Sequence, residues 1–249
     1  MITLQNIQKV FNKGQVNQVV ALNDVSLHIN QGEFVVLIGS NGSGKTTLLN
    51  VISGAEIPST GKVLLSNTDV TNFPEYKRSQ WIARVFQNPL SGTAPDLSIL
   101  DNFRLAALRT TRKKPVIGVN AAFKKIVQDR IATLGMGLEN KVEQPMGTLS
   151  GGQRQALTLL MSVMDHTDIL LLDEPTAALD PRSANIILET ADALVKEYKL
   201  TAVLVTHNLK DAHQYGNRLI QMAEGKILRD LDASAKGSLQ LPGMFGWFS

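Results

Sequence analysis

The 249-residue chain carries 25 lysine and arginine residues against 22 aspartate and glutamate residues, a net charge of +3, and 43% hydrophobic residues. It has no cysteine, which excludes disulfides and thiolate metal sites, and no unbroken apolar window of the ~18 residues that a membrane-spanning helix needs. The N-terminus lacks the charged start and apolar stretch of a secretory signal. We therefore expect a cytoplasmic globular protein of one domain or two, with any membrane role exerted through a partner.

The first part of the chain predicts antiparallel strands, then a buried strand and a helix. Residues 2–11 and 19–30 partly alternate apolar and polar side chains, as half-buried antiparallel strands do. EFVVLIG (33–39) is a short apolar run ending in glycine, which is typical of a buried parallel strand. KTTLLNVISG (45–54) has helical spacing and a final glycine that would end the helix. Two further strands are predicted at 62–67 and 82–87.

The pattern becomes helical between about residues 95 and 165. Helical periodicity is present at 99–109, 120–134 and 151–164. The densest basic run, TRKKP (111–115), lies between the first two of these segments, and we interpret it as a solvated loop rather than a phosphate-binding patch.

The strand pattern returns in the last third of the chain. DILLLDEP (168–175) predicts a buried strand, and the proline at 181 suits the first turn of a following helix. TAVLVTHN (201–208) predicts another strand, and 218–230 predicts a strand pair. The order of elements therefore predicts an α/β core interrupted by a helical insert of about 70 residues.

The stretch GSNGSGKTT (39–47) predicts a nucleoside-triphosphate site. It matches G-x-x-x-x-G-K-[ST] between a predicted strand and a predicted helix, which is the context that the motif requires. Glycines let backbone N–H groups approach a phosphate, Lys45 would reach the β and γ oxygens, and the Thr46 hydroxyl would bind Mg²⁺. The loop residues expected to hold ATP are Ser40, Asn41, Gly42, Ser43, Gly44, Lys45, Thr46 and Thr47.

Two adjacent acids at the end of the strand ILLLDEP provide the second half of this chemistry. Asp173 would end the buried strand, where its carboxylate can hold Mg²⁺ through water. Glu174 would leave the strand end in a different direction and is placed to polarise an attacking water.

Two further polar residues follow predicted strands, and each allows two interpretations. Gln87 is either a loop residue or one whose amide oxygen binds Mg²⁺ or orients water. His207 is either structural or, at the end of a parallel strand where α/β ligand sites cluster, a bridge between Glu174 and the γ-phosphate. The histidines interpreted as structural are His28, His166 and His213.

TLSGGQRQAL (148–157) presents a second anion site. A serine and two glycines lead directly into a predicted helix, whose first backbone N–H groups carry partial positive charge. A single domain that already has a complete phosphate loop at 39–47 has no obvious need of this second anion site.

The order of these motifs resembles that of the nucleotide-binding subunits of ATP-binding-cassette (ABC) transporters, up to about residue 231. The matching motifs are the phosphate loop 39–47, Gln87, LSGGQ (149–153), LLLDEP (170–175), ALD (178–180) and His207. LSGGQ is the signature of that family and is more specific than the phosphate loop. The resemblance implies an active ATPase that binds ATP and Mg²⁺, with Lys45, Glu174 and His207 as catalytic residues and Thr46, Gln87 and Asp173 at the metal.

The resemblance also implies the architecture. It predicts a P-loop ATPase core of RecA-like type with a mostly parallel sheet, an N-terminal antiparallel β part and a helical subdomain insert. We expect one ABC ATPase domain over 1–249, with its core in 1–87 and 166–231, a helical signature subdomain at 88–165, and a C-terminal tail at 232–249. The apolar end of that tail (241–249) packs on its own domain or, as the alternative, contacts a partner.

Several site residues are implied by the resemblance alone. Phe11 corresponds to the aromatic residue that stacks on adenine, where a tyrosine is commoner, although a core-strand phenylalanine is the alternative. Ala177 replaces a usual serine, and Asn208 stands where aspartate is frequent; neither change removes a catalytic group. The residues expected to contact the ATP of a second copy are Ser150, Gly151, Gly152, Gln153 and Asp180.

The implied partners are a second copy of the chain, integral membrane permease subunits that dock in a groove near Gln87, and a periplasmic binding protein, with no nucleic acid. The chain would then lie on the inner face of the cell membrane, held by the permease. We favour an importer of an amino-acid-like solute, and the alternative is a lipoprotein-release or efflux ATPase. A soluble ABC ATPase acting on ribosomes or DNA, and a binding module without hydrolysis, are less consistent with the single cassette and the retained catalytic residues.

Overall fold

The computed structural model describes residues 1–110, 118–177 and 179–247. In chain order its strands are β1 (Ile2–Phe11), β2 (Val19–Ile29), β3 (Phe34–Gly39), β4 (Thr60–Leu65), β5 (Thr68–Asp69), β6 (Ile82–Val85), β7 (Ile169–Asp173), β8 (Thr201–Val205), β9 (Arg218–Ala223) and β10 (Lys226–Leu231). Its α-helices are α1 (Lys45–Ser53), α2 (Glu75–Arg78), α3 (Ile99–Ala106), α4 (Ala121–Ala132), α5 (Gly151–Ser162), α6 (Pro181–Tyr198), α7 (Leu209–Gln214), α8 (Ala233–Gly237) and α9 (Leu241–Phe245).

The first sheet is antiparallel, with strand order β2-β1-β4-β5. The alternation of apolar and polar residues at 2–11 and 19–30 predicted this sheet. Such an alternation arises when one face of a sheet packs on the core and the other faces solvent. Ile2, Leu4 and Ile7 are at most 2% exposed and pack in a cluster that also contains α1. This confirms the predicted N-terminal antiparallel part.

The second sheet is mostly parallel, with strand order β10-β9-β3-β8-β7-β6. Only β10 runs antiparallel, against β9 at one edge. β3, β7 and β8 are buried along their whole length, since helices or the first sheet cover both faces. The carboxyl ends of β3, β8, β7 and β6 therefore meet at one edge of the sheet, and the predicted fold class is confirmed.

The helices α3, α4 and α5 occupy the predicted helical region, and each begins at a side-chain cap: Ser98, Asn120 and Ser150 accept hydrogen bonds from the first turn. The first ends at Ala106, three residues short of the predicted limit. The short elements β5, α2, α7, α8 and α9 were not predicted, because two to six residues are too few to show a clear period. The basic run predicted as a loop at 111–115 lies outside the described residues. Among those that are described, no helix is long and apolar enough to cross a membrane.

The C-terminal tail packs on its own domain over its described part, as predicted. Met244 in α9 is fully buried in the main core cluster. The Trp247 carbonyl accepts a hydrogen bond of 3.0 Å from the Gln221 side chain, and the Arg229 guanidinium lies 4.8 Å from the Trp247 ring centroid. These contacts attach the tail to β9 and β10.

Lys236 attaches α8 to the end of α7. Its side chain is buried, and its Nζ donates to the carbonyls of Tyr215 and Gly216, the latter at 2.7 Å. Burial lowers the pKa of Lys236 to about 8. The charged form is thus disfavoured in the folded protein relative to the unfolded chain.

We predict a pH-dependent contribution of Lys236 to stability. Between pH 8 and about 10.4 the unfolded chain holds a proton that the folded protein has released, so stability rises with pH across this window. The free energy of unfolding of the parent, relative to Lys236→Met, should rise by about 2–3 kcal/mol from pH 7 to pH 10.5 in urea titrations. The control replaces the exposed Lys226 by methionine. The difference in free energy of unfolding between the parent and Lys226→Met should stay the same from pH 7 to pH 10.5. Parallel pH profiles for the parent and Lys236→Met would contradict the prediction.

Candidate active site

A pocket of about 850 Å³ lies at the edge where the parallel strands end. It brings together residues of the N-terminal sheet, the phosphate loop and the segments that follow β6, β7 and β8. Its lining residues are Phe11, Val19, Ala21, Asn41, Gly42, Gly44, Lys45, Thr46, Thr47, Gln87, Glu174, Ala177 and His207. Most of the residues expected to bind ATP thus face one cavity.

The phosphate loop folds around the ammonium group of Lys45. Gly44 has φ +100° at the start of α1, and a Cβ there would lie 2.5 Å from the Ala21 carbonyl oxygen, so only glycine fits. The Lys45 side chain is buried, and its Nζ donates to the carbonyls of Gly39 at 2.9 Å and Ser40 at 3.0 Å. The loop therefore holds its shape while the start of α1 faces the pocket.

The loop also fits an anion. The Ser43 hydroxyl is buried and has no hydrogen-bond partner in the described part of the chain. Burial lowers the pKa of Lys45 below its ordinary value, and the carboxylates of Glu174 and Asp173 offset part of that shift. An orphaned donor and a desolvated cation at a helix N-terminus are what a phosphate group would satisfy.

Thr46 and Asp173 lie side by side beneath the loop. Thr46 Oγ1 is 3.3 Å from Asp173 Oδ1, and Asp173 is only 5% exposed. A hydroxyl and a carboxylate are oxygen ligands of the kind that Mg²⁺ takes beside phosphate groups. These two residues thus fit a divalent cation.

Glu174 lies next to both of the other predicted polar residues. Its Oε2 is 3.4 Å from His207 Nδ1 and 3.5 Å from Gln87 Nε2. Its backbone N–H donates to the Val205 carbonyl, and its φ of +44° turns the chain sharply after Asp173. The two adjacent acids therefore have different surroundings: Asp173 is buried beside Thr46, and Glu174 faces the pocket.

Arg84 was missed by sequence reasoning. It lies in β6, and its Nη2 forms a salt bridge of 2.7 Å with Asp173 Oδ2. Both side chains are buried, at 9% and 8% exposure. The sequence does show an arginine inside the apolar strand pattern IARV, but it does not indicate which acidic residue this arginine pairs with.

The signature segment forms the start of α5, away from this pocket. Ser150 Oγ accepts from the Gln153 N–H, and Gln153 Oε1 accepts from the Ser150 N–H, which makes a reciprocal capping box. Asp180 caps α6 by accepting hydrogen bonds from the backbone N–H groups of Arg182 and Ser183. The hydrogen bonds with Ser183 are the largest cause of the lowered pKa of Asp180. Within the described chain, the residues expected to act in trans do not line the pocket. Ala178 of the ALD motif lies outside the described residues.

A family model described as ABC transporter matches residues 22–177, more than half of the chain. The chain belongs to the ABC transporter family. The matched range contains the phosphate loop, LSGGQ and the Asp173–Glu174 pair. The fold is that of an ABC ATP-binding cassette, and this family hydrolyses ATP.

Relatives of this ABC cassette include proteins named for transport, for import and for export. It is 38% identical to a tyrosine transport ATP-binding protein of Clostridioides difficile, over 96% of this chain and 95% of that protein. It is 34% identical to the macrolide export ATP-binding/permease protein MacB of Campylobacter fetus, over 92% of this chain but 34% of that protein. Among solved structures, the ATP-binding cassette MJ0796, a dimer bound to ADP and phosphate, is similar with a TM-score of 0.81 at 29% identity, over 94% of this chain and 99% of that chain.

The two signature glycines should differ when each is replaced by alanine. A Cβ on Gly152 would lie 2.6 Å from Ser183 Oγ and 2.7 Å from Ser183 Cβ, whereas the nearest atom to a Cβ on Gly151 is Leu179 Cδ2 at 3.6 Å. We expect Gly152→Ala to lower the free energy of unfolding by about 1–3 kcal/mol through overpacking against α6. Gly151→Ala, the matched control, should change it by about 0.5 kcal/mol or less in urea titrations. Equal costs for the two variants would contradict this difference in packing.

Proposed function

We propose that the chain is the ATP-hydrolysing subunit of an importer for a small, amino-acid-like solute. The observation that carries the proposal is the 38% identity to a tyrosine transport ATP-binding protein over nearly the full length of both chains. In this proposal two copies of the chain bind separate permease subunits on the cytoplasmic face of the membrane, and a periplasmic binding protein delivers the solute.

An exporter ATPase, of the efflux or lipoprotein-release type, is the second candidate. It is favoured by the 34% identity to the macrolide export protein. That relative is named as an ATP-binding protein and permease combined, and this chain spans only 34% of it. The tyrosine transport relative, matched from end to end, is the better guide to the arrangement of subunits.

The pocket supports ATP binding by the phosphate loop and Phe11. The loop residues Ser40–Thr47 hold the triphosphate through backbone N–H groups, the Ser43 hydroxyl and Lys45. Phe11 is half-buried and lines the same cavity, which favours stacking on adenine over a purely structural role. The Lys9 ammonium group, which is paired with Glu56 Oε2 at 2.7 Å, lies 4.8 Å from the Phe11 ring centroid and makes a cation–π contact with it.

Thr46, Asp173 and Gln87 are the residues that would hold Mg²⁺. The cation neutralises charge on the β- and γ-phosphates when it is bound. Thr46 and Asp173 already lie together, and Gln87, whose Nε2 is 3.5 Å from Glu174 Oε2, lines the same cavity as Thr46.

Hydrolysis follows from Glu174 acting on a water in the pocket. The Glu174 carboxylate accepts a hydrogen bond from the water and takes its proton as the water oxygen attacks the γ-phosphorus. The bond between the γ-phosphorus and the β–γ bridging oxygen breaks, and Lys45 stabilises the charge that develops on the phosphate oxygens. His207 and Gln87, both next to Glu174 Oε2, hold the carboxylate and reach the γ-phosphate.

The signature segment completes the site of a second copy. Ser150, Gly151, Gly152 and Gln153 present the N-terminus of α5, and Asp180 caps the neighbouring helix. Because these residues do not line the pocket of their own chain, a site that uses them needs two chains facing each other. The dimeric arrangement of the MJ0796 cassette supports this proposal.

We predict that Glu174→Gln traps an ATP-bound dimer. The amide keeps the size of the carboxylate but cannot take a proton, so the hydrolysis rate should fall by about 10²–10⁴-fold. Size-exclusion chromatography with ATP and Mg²⁺ should then show a dimer, whereas the parent, which turns ATP over, should not accumulate one. Hydrolysis at the parent rate would exclude Glu174 as the base.

Adding Ser150→Arg to Glu174→Gln tests the trans contact in the same assay. The arginine should leave ATP binding to the isolated chain intact and remove the dimer. Asn120→Arg, which replaces the N-cap of α4, is the matched control for the lost helix cap and should keep the dimer. Loss of ATP binding in the Ser150→Arg chain would contradict the trans assignment.

The groove between β6, α3 and α5 is the proposed docking site of the permease. It has a volume of about 510 Å³, and its wall includes Leu105, which is 55% exposed. Leu105→Glu should abolish co-purification of the permease from native membranes and uptake of labelled tyrosine by cells, while ATP binding stays at the parent level. Leu228→Glu, at 57% exposure on β10, is the control and should behave as the parent. Normal permease binding by Leu105→Glu would contradict this docking site.

A further inference from the structure

Arg84 interrupts an otherwise apolar strand and reaches across to β7. In the parallel register Arg84 lies opposite Leu171, and Asp173 follows two residues later on the same face of the sheet. An arginine side chain is long enough to span this diagonal. Its Nη2 lies 2.7 Å from Asp173 Oδ2.

The guanidinium group is held on more than one side. Its Nη1 faces Ser53 Oγ of α1 at 3.5 Å, and its centre lies 4.7 Å from the Phe86 ring centroid. With both members of the ion pair below 10% exposure, water screens their attraction only weakly. The pair is therefore a fixed part of the site rather than a surface contact.

The two oxygens of the Asp173 carboxylate have different partners. Oδ2 is held by Arg84, and Oδ1 faces the Thr46 hydroxyl at 3.3 Å. We propose that Arg84 is a positioning residue that sets the Mg²⁺ affinity of the nucleotide site by holding Asp173 with Oδ1 beside Thr46. This inference rests on the proposed role of Thr46 and Asp173 in holding Mg²⁺.

Two effects of Arg84 on a cation oppose each other. Its positive charge weakens the attraction of Asp173 for Mg²⁺, whereas its hydrogen bond fixes the orientation of the carboxylate. Without Arg84, the ion pair that holds Oδ2 would be lost, and the carboxylate would be free to rotate and take Oδ1 away from Thr46. Partners of metal-ligating carboxylates are typically worth 10–100-fold in metal affinity or activity, so the orientation effect dominates.

The test measures ADP binding by isothermal titration calorimetry, in EDTA and at graded Mg²⁺ concentrations. For Arg84→Met, the Mg²⁺ concentration that gives half of the Mg²⁺-dependent gain in ADP affinity should rise about tenfold. ADP affinity in EDTA should stay at the parent value, because Arg84 does not line the nucleotide pocket. A loss of packing alone would weaken ADP binding in EDTA as well as in Mg²⁺, so it would not change the Mg²⁺ requirement by itself.

Arg109→Met is the matched control. Arg109 is a partly buried arginine whose Nε, like that of Arg84, has no hydrogen-bond partner among the described residues, and its Nη2 donates to the His166 carbonyl at 2.7 Å rather than to Asp173. This variant should keep the Mg²⁺ dependence of the parent. Arg84→Lys, which keeps the charge but loses the planar fork, should give a smaller shift than Arg84→Met and carries the test if the methionine variant does not fold.

An unchanged or lower Mg²⁺ requirement in the Arg84 variants would overturn the inference, as would an equal shift in Arg109→Met. If the parent itself fails to bind ADP, the proposed function fails. If the parent binds ADP with the expected Mg²⁺ dependence and the Arg84 variants match it, only the role of Arg84 is refuted.

Discussion

Parallel pairing of the central strands places the chemistry of this ABC cassette at one edge of a sheet. Val205 of β8 lies level with Leu37 of β3 on one side and with Asp173 of β7 on the other. The residues that follow each strand therefore emerge next to one another. Gly39 opens the phosphate loop, Glu174 turns into the pocket and His207 lies two residues beyond Val205. A slip of one residue in this register would turn Asp173 to the opposite face of the sheet.

Opposite charges balance one another at this edge of the sheet. Lys45 and Arg84 bring two cations against the carboxylates of Asp173 and Glu174, and three of these four groups are largely buried. Each buried group has a partner on its own chain: Lys45 uses loop carbonyls, and Asp173 uses Thr46 and Arg84. A nucleotide can then enter a site that has already met the cost of desolvating its charges.

Much of the fold could be predicted from local patterns, because the strands and longer helices each have a clear period. The elements that were missed, β5, α2, α7, α8 and α9, have two to six residues, too few to show a clear period. The pocket also joins most residues of the expected ATP site, although their roles stay predictions. Arg84 could not be placed, because its partner lies 89 residues away and only the pairing of β6 with β7 brings them together. The contact of Gly152 with Ser183 likewise depends on how α5 packs against α6.

The C-terminal tail bears on the same edge of the sheet through α7. The N-cap of this helix is Asn208, which directly follows His207 and whose side chain accepts from the Lys210 N–H. At the other end of α7, Lys236 of the tail donates to the carbonyls of Tyr215 and Gly216. His213 is hydrogen bonded to the Leu239 carbonyl at 2.9 Å, and α9 packs against the same helix. Helix α7 therefore links the pocket residue His207, which directly precedes its N-cap, to the C-terminal tail, which contacts its other end.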